Sequence, residues 1–273
     1  MKAMIFAAGL GTRLKPLTDS LPKALAPLAG RTLLYNVIMR LKSAGVDSFI
    51  VNVHHFPDAI ISYISETPEL ASLDIRISDE RDRLLETGGG VRFASGLLGG
   101  NSPFLVHNVD IVSDLDIKWF ESQCHPGALA SLLVSRRETK RYLLFNEDDM
   151  RLVGWTNIST GEVRTPFRGL DICHCVKLAF GGVHLISPEI FDVFDAVDAE
   201  PWRYPLYDAC GNVLPVSQNA LGERFPIMDF YLRTASARPI YGVQADGVTL
   251  IDAGKPDSLA AAERFVEKLI CRK

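Results

Sequence analysis

The sequence predicts an α/β fold of three layers, Rossmann-like in plan, with a mixed, mostly parallel sheet and helices on both faces. Three observations predict it. Short apolar runs of strand length alternate with amphipathic runs of helical period from Ala3 to Ile111. That order reads β-α-β-α-β-α-β, the pattern of parallel strands joined by right-handed crossovers. The composition, 47% hydrophobic and 23% charged over 273 residues, is that of a globular chain long enough for one large α/β domain.

Each element has its own warrant. AMIFA (3–7) is a continuous apolar run, hence a buried strand. LLYNVIMRLKSAG (33–45) places apolar residues at 33, 34, 37, 38 and 41 and ends on glycine, which predicts a helix. SFIVNV (48–53) is β-branched and aromatic, a second strand. DAIISYIS follows as a helix and DIRIS (74–78) as a strand. GGVRFASGLLG (89–99) reads as a helix weakened by Gly96, and PFLVHNVDI (103–111) as the fourth strand. ALASLLVSRR, YLLFNE and RLVGW then read as consecutive strands with antiparallel pairs among them. KLAFGGVHLIS (177–187) is a further strand, and PEIFDVF opens a helix with proline at its start. Residues 196–224 form an irregular stretch with three prolines and two glycines, either an ordered lid or an insertion. PIMDFYLRTAS is a helix, PIYGVQ and VTLIDAG are strands, and PDSLAAAERFVEKLI is an amphipathic C-terminal helix. No repeat, low-complexity segment or linker divides the chain, so residues 1–273 are expected to form a single domain.

Charge and cysteine usage narrow the function classes. Lys and Arg total 29 against 33 Asp and Glu, a formal net charge of −4. That argues against duplex nucleic acid or an anionic membrane as the main partner. No run approaches the ~20 apolar residues that span a bilayer. The opening MKAMIFAAG superficially resembles a signal peptide, but its short apolar run meets glycines and basic residues at once and reads as a strand. Five cysteines, an odd number without framework spacing, suit a reducing cytoplasm. Cys173 and Cys175 flank His174 at a spacing poorly suited to one tetrahedral zinc, so a structural or incidental role is expected.

In parallel sheets, ligands bind beyond the carboxyl ends of the strands. The loop after Ala7, the His54–His55 pair and Asp110 all fall there. For the two histidines a structural role and a sugar contact both stay open. The loop AAGLGTRLKPLTDSLPK (7–23) carries Arg13, Lys15 and Lys23 and no acid before Asp19. A P-loop needs Gly-Lys-Ser/Thr after four intervening residues, and Gly9 and Gly11 lead instead to Thr12-Arg13. A dinucleotide fingerprint needs a small residue three after Gly11, where Leu14 stands, and Pro16 interrupts a helix. The remaining reading is a loop that wraps a nucleoside triphosphate with backbone N–H groups and cationic side chains.

The string GLGTRLKPLTDSLPK resembles the opening motif of the sugar-1-phosphate nucleotidylyltransferases, which join a nucleoside triphosphate to a sugar 1-phosphate. The resemblance continues through AGRTLLYNVIMRLKSAGVDSFIVNVHH, HNVDI, FGGVHLISPEIF and LIDAGKPDSLAAAE, and is weakest over 196–224. LETGGG (85–90) and LVGWTNISTGE (152–162) are similar to the small uridylyltransferases acting on N-acetylmuramate 1-phosphate. The resemblance implies the nucleotide-diphospho-sugar transferase fold, with a nucleotide-binding half over 1–125, a sugar-binding half over 126–250, and a metal aspartate with the C-terminal helix over 251–273. It implies Arg13 and Lys23 as catalytic cations, Arg13 on the triphosphate tail and Lys23 near the α-phosphate. Ala8, Gly9, Gly11, Thr12, Gly88, Gly89 and Asn108 become nucleotide contacts, the glycines of LETGGG letting backbone approach the base. Gly154, Asn157 and Gly182 become sugar contacts, and Asp110 with Asp252 the ligands of Mg2+.

The sequence departs from the family pattern in two places. Val109 stands where the family usually has glycine before the metal aspartate. Its Cβ is expected to narrow the nucleotide space or shift Asp110, which touches activity and not fold. The family's Glu-Lys-Pro sugar-phosphate segment has no clear counterpart, and Lys177 or Arg168 is the substitute. The expected reaction is Mg2+-dependent transfer of a nucleotidyl group, UMP first, to a sugar 1-phosphate. GTP with mannose 1-phosphate and CTP with a phosphorylated alcohol are alternatives. A nucleotide-sugar-binding regulatory protein and an NAD-binding module are rivals of other classes. A cytoplasmic protein, with homo-oligomer formation left open, completes the expectation.

Overall fold

The computed structural model describes residues 1–215 and 219–270. The chain opens with β1 (Lys2–Phe6) and a loop of three short 3-10 turns, Thr12–Leu14, Leu17–Asp19 and Lys23–Leu25. A small ribbon follows, β2 (Pro27–Leu28) and β3 (Arg31–Thr32). Next come α1 (Leu33–Ser43), β4 (Ser48–Val53), α2 (Pro57–Glu66), α3 (Pro68–Ala71), β5 (Asp74–Asp79), α4 (Glu86–Phe93) and α5 (Ser95–Leu98). The middle of the chain holds β6 (Phe104–Asn108), β7 (Ile111–Ser113), α6 (Ile117–Gln123), β8 (Ala130–Ser135), β9 (Arg141–Asn146), β10 (Leu152–Asn157) and β11 (Glu162–Arg164). It closes with β12 (Cys175–Ile186), α7 (Ile190–Ala199), α8 (Ile227–Thr234), β13 (Ile240–Gln244), β14 (Leu250–Asp252) and α9 (Pro256–Ile270).

Among the described residues, ten strands form one mixed sheet in the order β11-β10-β9-β12-β6-β1-β4-β5, with β8 pairing β12 and β13. β6, β1, β4 and β5 are parallel, as the alternating pattern of the first half requires. At β12 the sheet turns antiparallel, for β12 runs against β6, β8 and β9. The three layers follow from strand alternation. On β1, Ala3 and Ile5 join the core shared with α1, α2 and α9, while Met4 joins the opposite core with α4, α7 and α8. The five apolar positions read from α1 are all buried. Thr32 caps that helix by accepting from the Tyr35 amide at 3.1 Å, a device worth about 1 kcal/mol.

Three expectations need correction. The strand expected over 103–111 is two strands. β6 ends at Asn108, and β7 leaves the main sheet to pair antiparallel with β14, setting Asp252 opposite Ile111. The helix expected over 89–99 begins at Glu86 and breaks at Ala94, so the three glycines lie inside its first turns. Of the stretch 196–224, the first residues complete α7, and the described remainder is an ordered strap. Tyr207 bridges Thr165 and Val213, the Leu221 amide donates to Asp198 Oδ1 at 2.6 Å, and residues 216–218 lie outside the described residues. Among the described residues no helix is long and apolar enough to cross a membrane.

Candidate active site

The sheet order lines up the ends of β6, β1, β4 and β5 along one edge, and the opening loop, Asn108 and Asp110 fall there. The loop leaves β1 at Ala7, whose amide donates to Asn52 Oδ1 at 2.8 Å, as the Ala8 amide does at 3.3 Å. Gly9, Thr12 and Arg13 stand exposed beyond that anchor. The Gly11 carbonyl accepts from the Leu14 amide at 2.8 Å and from Thr18 Oγ1 at 2.9 Å, which curls the loop back on itself. An exposed turn with free backbone and a cation suits an anion.

Two carboxylates and two cations converge beside the loop. Lys23 pairs with Asp110, which is 8% exposed. Arg13 Nη1 lies 3.5 Å from Asp252 Oδ2. The β7–β14 ribbon brings the acids together across the chain, and the Ala253 amide ties to the Asp110 carbonyl at 2.8 Å. A Cβ on Gly254 would lie 2.7 Å from Asp252 Oδ1 and 3.1 Å from Asp110 Oδ2, so both carboxylates border one point. Burial alone would raise the Asp252 carboxyl. The Gly254 amide, the Arg13 and Lys23 charges and the Asp110 carboxyl outweigh it, and the net shift is downward. A pair of hard oxygen donors fits a divalent cation that takes its other ligands from phosphates and water. Among the described residues no group of three or more His, Cys, Asp or Glu is placed to hold a metal by itself.

Val109 packs into the core and also borders the cleft beside Ala8, Lys23 and Asp110. Its side chain is 3% exposed and belongs to the core cluster of Ala3 and Ile5. Its amide donates to the Phe6 carbonyl at 3.3 Å, and Asp110 reaches Lys23 all the same. Asp110 is thus not shifted away from Lys23 by its neighbour.

The other predicted residues fall in different surroundings. Gly88 and Gly89 both donate their amides to the Phe225 carbonyl, at 2.9 and 3.2 Å. A Cβ on Gly88 would overlap the Phe225 ring, and one on Gly89 the Glu223 carbonyl. The close approach these glycines permit is thus to the chain's own strap. Asn108 ends β6, and Gly182, with φ +75°, sits where a Cβ would come 3.1 Å from Asn108 Nδ2. Gly154 lies at a register shift on β10, and Asn157 turns the β10–β11 hairpin by accepting from the Ser159 amide at 3.1 Å. On the sheet path β9 and β12 stand between β10 and β6, so this pair is apart from the charged centre. His54 Nδ1 donates to the Glu80 carbonyl at 2.7 Å and His55 packs on Phe56, which gives both structural work. Arg168 packs beside Gly211 and Lys177 is exposed on β12. His174 pairs with Asp171 at 2.9 Å on an exposed turn.

Three residues escaped the sequence reading. Asn52 and Glu80 line the cleft with Ala8, Lys23 and Asp110, and Gly254 makes room between the carboxylates. Asn52 left a signal, a lone amide inside a β-branched strand. A cavity of about 720 Å3 lies elsewhere, between α1, β7, α6 and α9, and is lined by none of the predicted site residues.

Comparison with known proteins gives the family. The model of the nucleotidyl transferase family matches residues 2–141. The N-acetylmuramate alpha-1-phosphate uridylyltransferase of Caulobacter vibrioides is 37% identical over 196 residues, 69% of this chain and 76% of that protein. The enzyme of the same name from Neisseria meningitidis serogroup B is 34% identical over 197 residues, 72% of this chain and 79% of that protein. Among solved structures, HddC of Yersinia pseudotuberculosis complexed with GMP-PN superposes with a TM-score of 0.67 at 19% identity, over 97% of this chain and 99% of that one. The fold, the loop and the identity over two thirds of the chain place this protein in the nucleotidyl transferase family.

Proposed function

We propose that this nucleotidyltransferase moves a uridylyl group from UTP to the phosphate of an amino-sugar 1-phosphate of the N-acetylmuramate type. The observation that carries the reading is the convergence of Arg13, Lys23, Asp110 and Asp252 beside the open loop. The choice of UTP and of the sugar rests on the names of the two similar uridylyltransferases.

The chemistry asks for position and charge. A phosphate oxygen of the sugar attacks the α-phosphorus in line. The new O–P bond forms as the bond to the bridging oxygen breaks, and its electron pair leaves on pyrophosphate. The attacking phosphate is already ionised at neutral pH, so no general base is required. Stabilising the charge on the transferring group carries the step. Arg13 binds the departing phosphates with its planar fork, and Lys23 steadies the α-phosphate. Asp110 and Asp252 would hold Mg2+, which supplies further positive charge to the phosphates when bound. Ala8, Gly9, Gly11 and Thr12 line the triphosphate, Asn108 the nucleoside, and Gly154, Asn157 and Gly182 the sugar. On this reading residues 1–125 serve the nucleotide, residues 126–250 the acceptor, and the substrates place the protein in the cytoplasm.

A matrix of UTP, GTP, CTP and TTP against N-acetylmuramate, N-acetylglucosamine, glucose and mannose 1-phosphates, with Mg2+ and pyrophosphate as readout, tests it. Fastest release with UTP and an amino sugar is expected. Fastest release with GTP and mannose 1-phosphate would move the specificity, and no release from any pair would end the enzymatic reading.

A further inference from the structure

We propose that Glu80 is a positioning residue: through Asn52 it sets the two backbone amides from which the phosphate loop springs. The relay stands on geometry, and its effect on nucleotide binding rests on the nucleotidyl transfer reading above.

Glu80 follows β5 directly and is 3% exposed, as is Asn52 on neighbouring β4. Glu80 Oε1 accepts from Asn52 Nδ2 at 2.9 Å, and Asn52 Oδ1 accepts from the amides of Ala7 at 2.8 Å and Ala8 at 3.3 Å. A side-chain amide has one accepting end and one donating end. Two loop N–H groups demand the oxygen, so the NH2 must face an acceptor on the other side. Glu80 is that acceptor. Without it the amide loses the bond that orients it, and a flipped Asn52 would set donors against donors.

The backbone around Glu80 is pinned as a relay needs. Its amide donates to the Val53 carbonyl at 2.8 Å, and its carbonyl accepts from His54 Nδ1 at 2.7 Å and from the Arg83 amide at 3.0 Å. Room for the pair comes from the third glycine of LETGGG. A Cβ on Gly90 would lie 2.9 Å from Glu80 Oε1 and 3.2 Å from Asn52 Nδ2. A buried carboxyl is costly unless hydrogen-bonded, and an apolar residue would pack there more cheaply. Burial pushes this carboxyl above its ordinary range, with Asn52 and the Leu85 amide pulling it back. The bond to Asn52 explains why a hydrogen-bond acceptor stands in that place, with Glu80 Oε2 buried beside it and without a hydrogen-bond partner among the described residues.

The test compares Glu80→Gln, which keeps an accepting oxygen, with Glu80→Leu, which has none, in the full chain. Three quantities are read: amide hydrogen exchange at Ala7 and Ala8 without nucleotide, the UTP Kd by calorimetry, and Tm. Glu80→Leu is expected to speed exchange at both alanines while β4 and β5 stay protected, and to raise the UTP Kd about tenfold, the worth of one buried hydrogen bond. Glu80→Gln is expected to stay within about twofold of the parent protein on both counts. A Glu80→Leu protein of lower Tm with unchanged exchange and unchanged Kd would overturn the relay. If Glu80→Leu fails to fold, Gly90→Ala carries the same readouts and the same two outcomes. If the parent protein binds no UTP, the functional reading fails, and exchange at the two alanines still decides the relay.

Discussion

The two ends of the cleft are built of different material. At the β6 end, charged side chains from residues 13, 23, 110 and 252 meet around one point, and their chemistry is written in residue type. At the β5 end, backbone amides, one buried Asn–Glu pair and three glycines do the shaping, and their meaning lies in what packs against them. The charged end tolerates open space, and the packed end does not. A Cβ on Gly9 would meet nothing within 4 Å, whereas one on Gly88 would come 2.9 Å from the Phe225 carbonyl and overlap the ring. Substitutions should therefore cost activity at the first end and stability at the second.

The largest expected effect tests the charged end. Asp110→Asn and Asp252→Asn should each lower kcat by about a thousandfold with Tm little changed, since the lost charge acts on the transition state. Rates within tenfold of the parent would break the distinction. Next is the seam between the parallel and antiparallel regions, where His107 on β6 and His184 on β12 are buried. Burial lowers His107 to about 4, with the Asn108 carbonyl opposing and Arg40 assisting, and lowers His184 to about 3, with His107 assisting. Both stay neutral when folded and bind protons when unfolded, so they favour folding above about pH 6.5. That contribution should fade as pH drops below 6.5 toward 4, by about 3 kcal/mol in all between pH 7.5 and 5.5. Denaturant midpoints across that range measure it, and a flat profile would place the rings in contact with water.

The packed end gives the third test. Gly88→Val should lower stability by about 2 kcal/mol through overpacking against Phe225, while Gly9→Ala leaves it unchanged. Equal effects would erase the contrast. The smallest effect concerns Val109. Val109→Ala should cost about 1.5 kcal/mol of stability by removing buried methyl surface and should not raise turnover. A gain in kcat would show that the side chain restricts the cleft it borders.

The same contrast explains what was legible in the sequence. The parallel half could be read because each βα unit has its own period, and the α1 apolar positions fell where the spacing put them. The meeting of the charged residues could be expected because the proposed metal and triphosphate would demand particular side chains. LETGGG was harder, because the partner of its first two glycines, the strap at 223–225, lies far along the chain. The split of β6 from β7 was hidden for a similar reason: VDI is as good a strand as VHN until β14 arrives to pair with it. Asn52 looked like a strand residue, and its work depends on Glu80, a neighbour only in space.

The central claim is that the carboxylates joined by the β7–β14 ribbon serve nucleotidyl transfer through a divalent cation. Its most direct measurement is pyrophosphate release from UTP and N-acetylmuramate 1-phosphate across an Mg2+ titration, in the parent protein and in Asp252→Asn. The expected result is release that saturates with Mg2+ in the parent protein, vanishes with chelator, and is lost in the variant at every Mg2+ concentration. Release that persists with chelator, or that the variant supports at the parent rate, would contradict it.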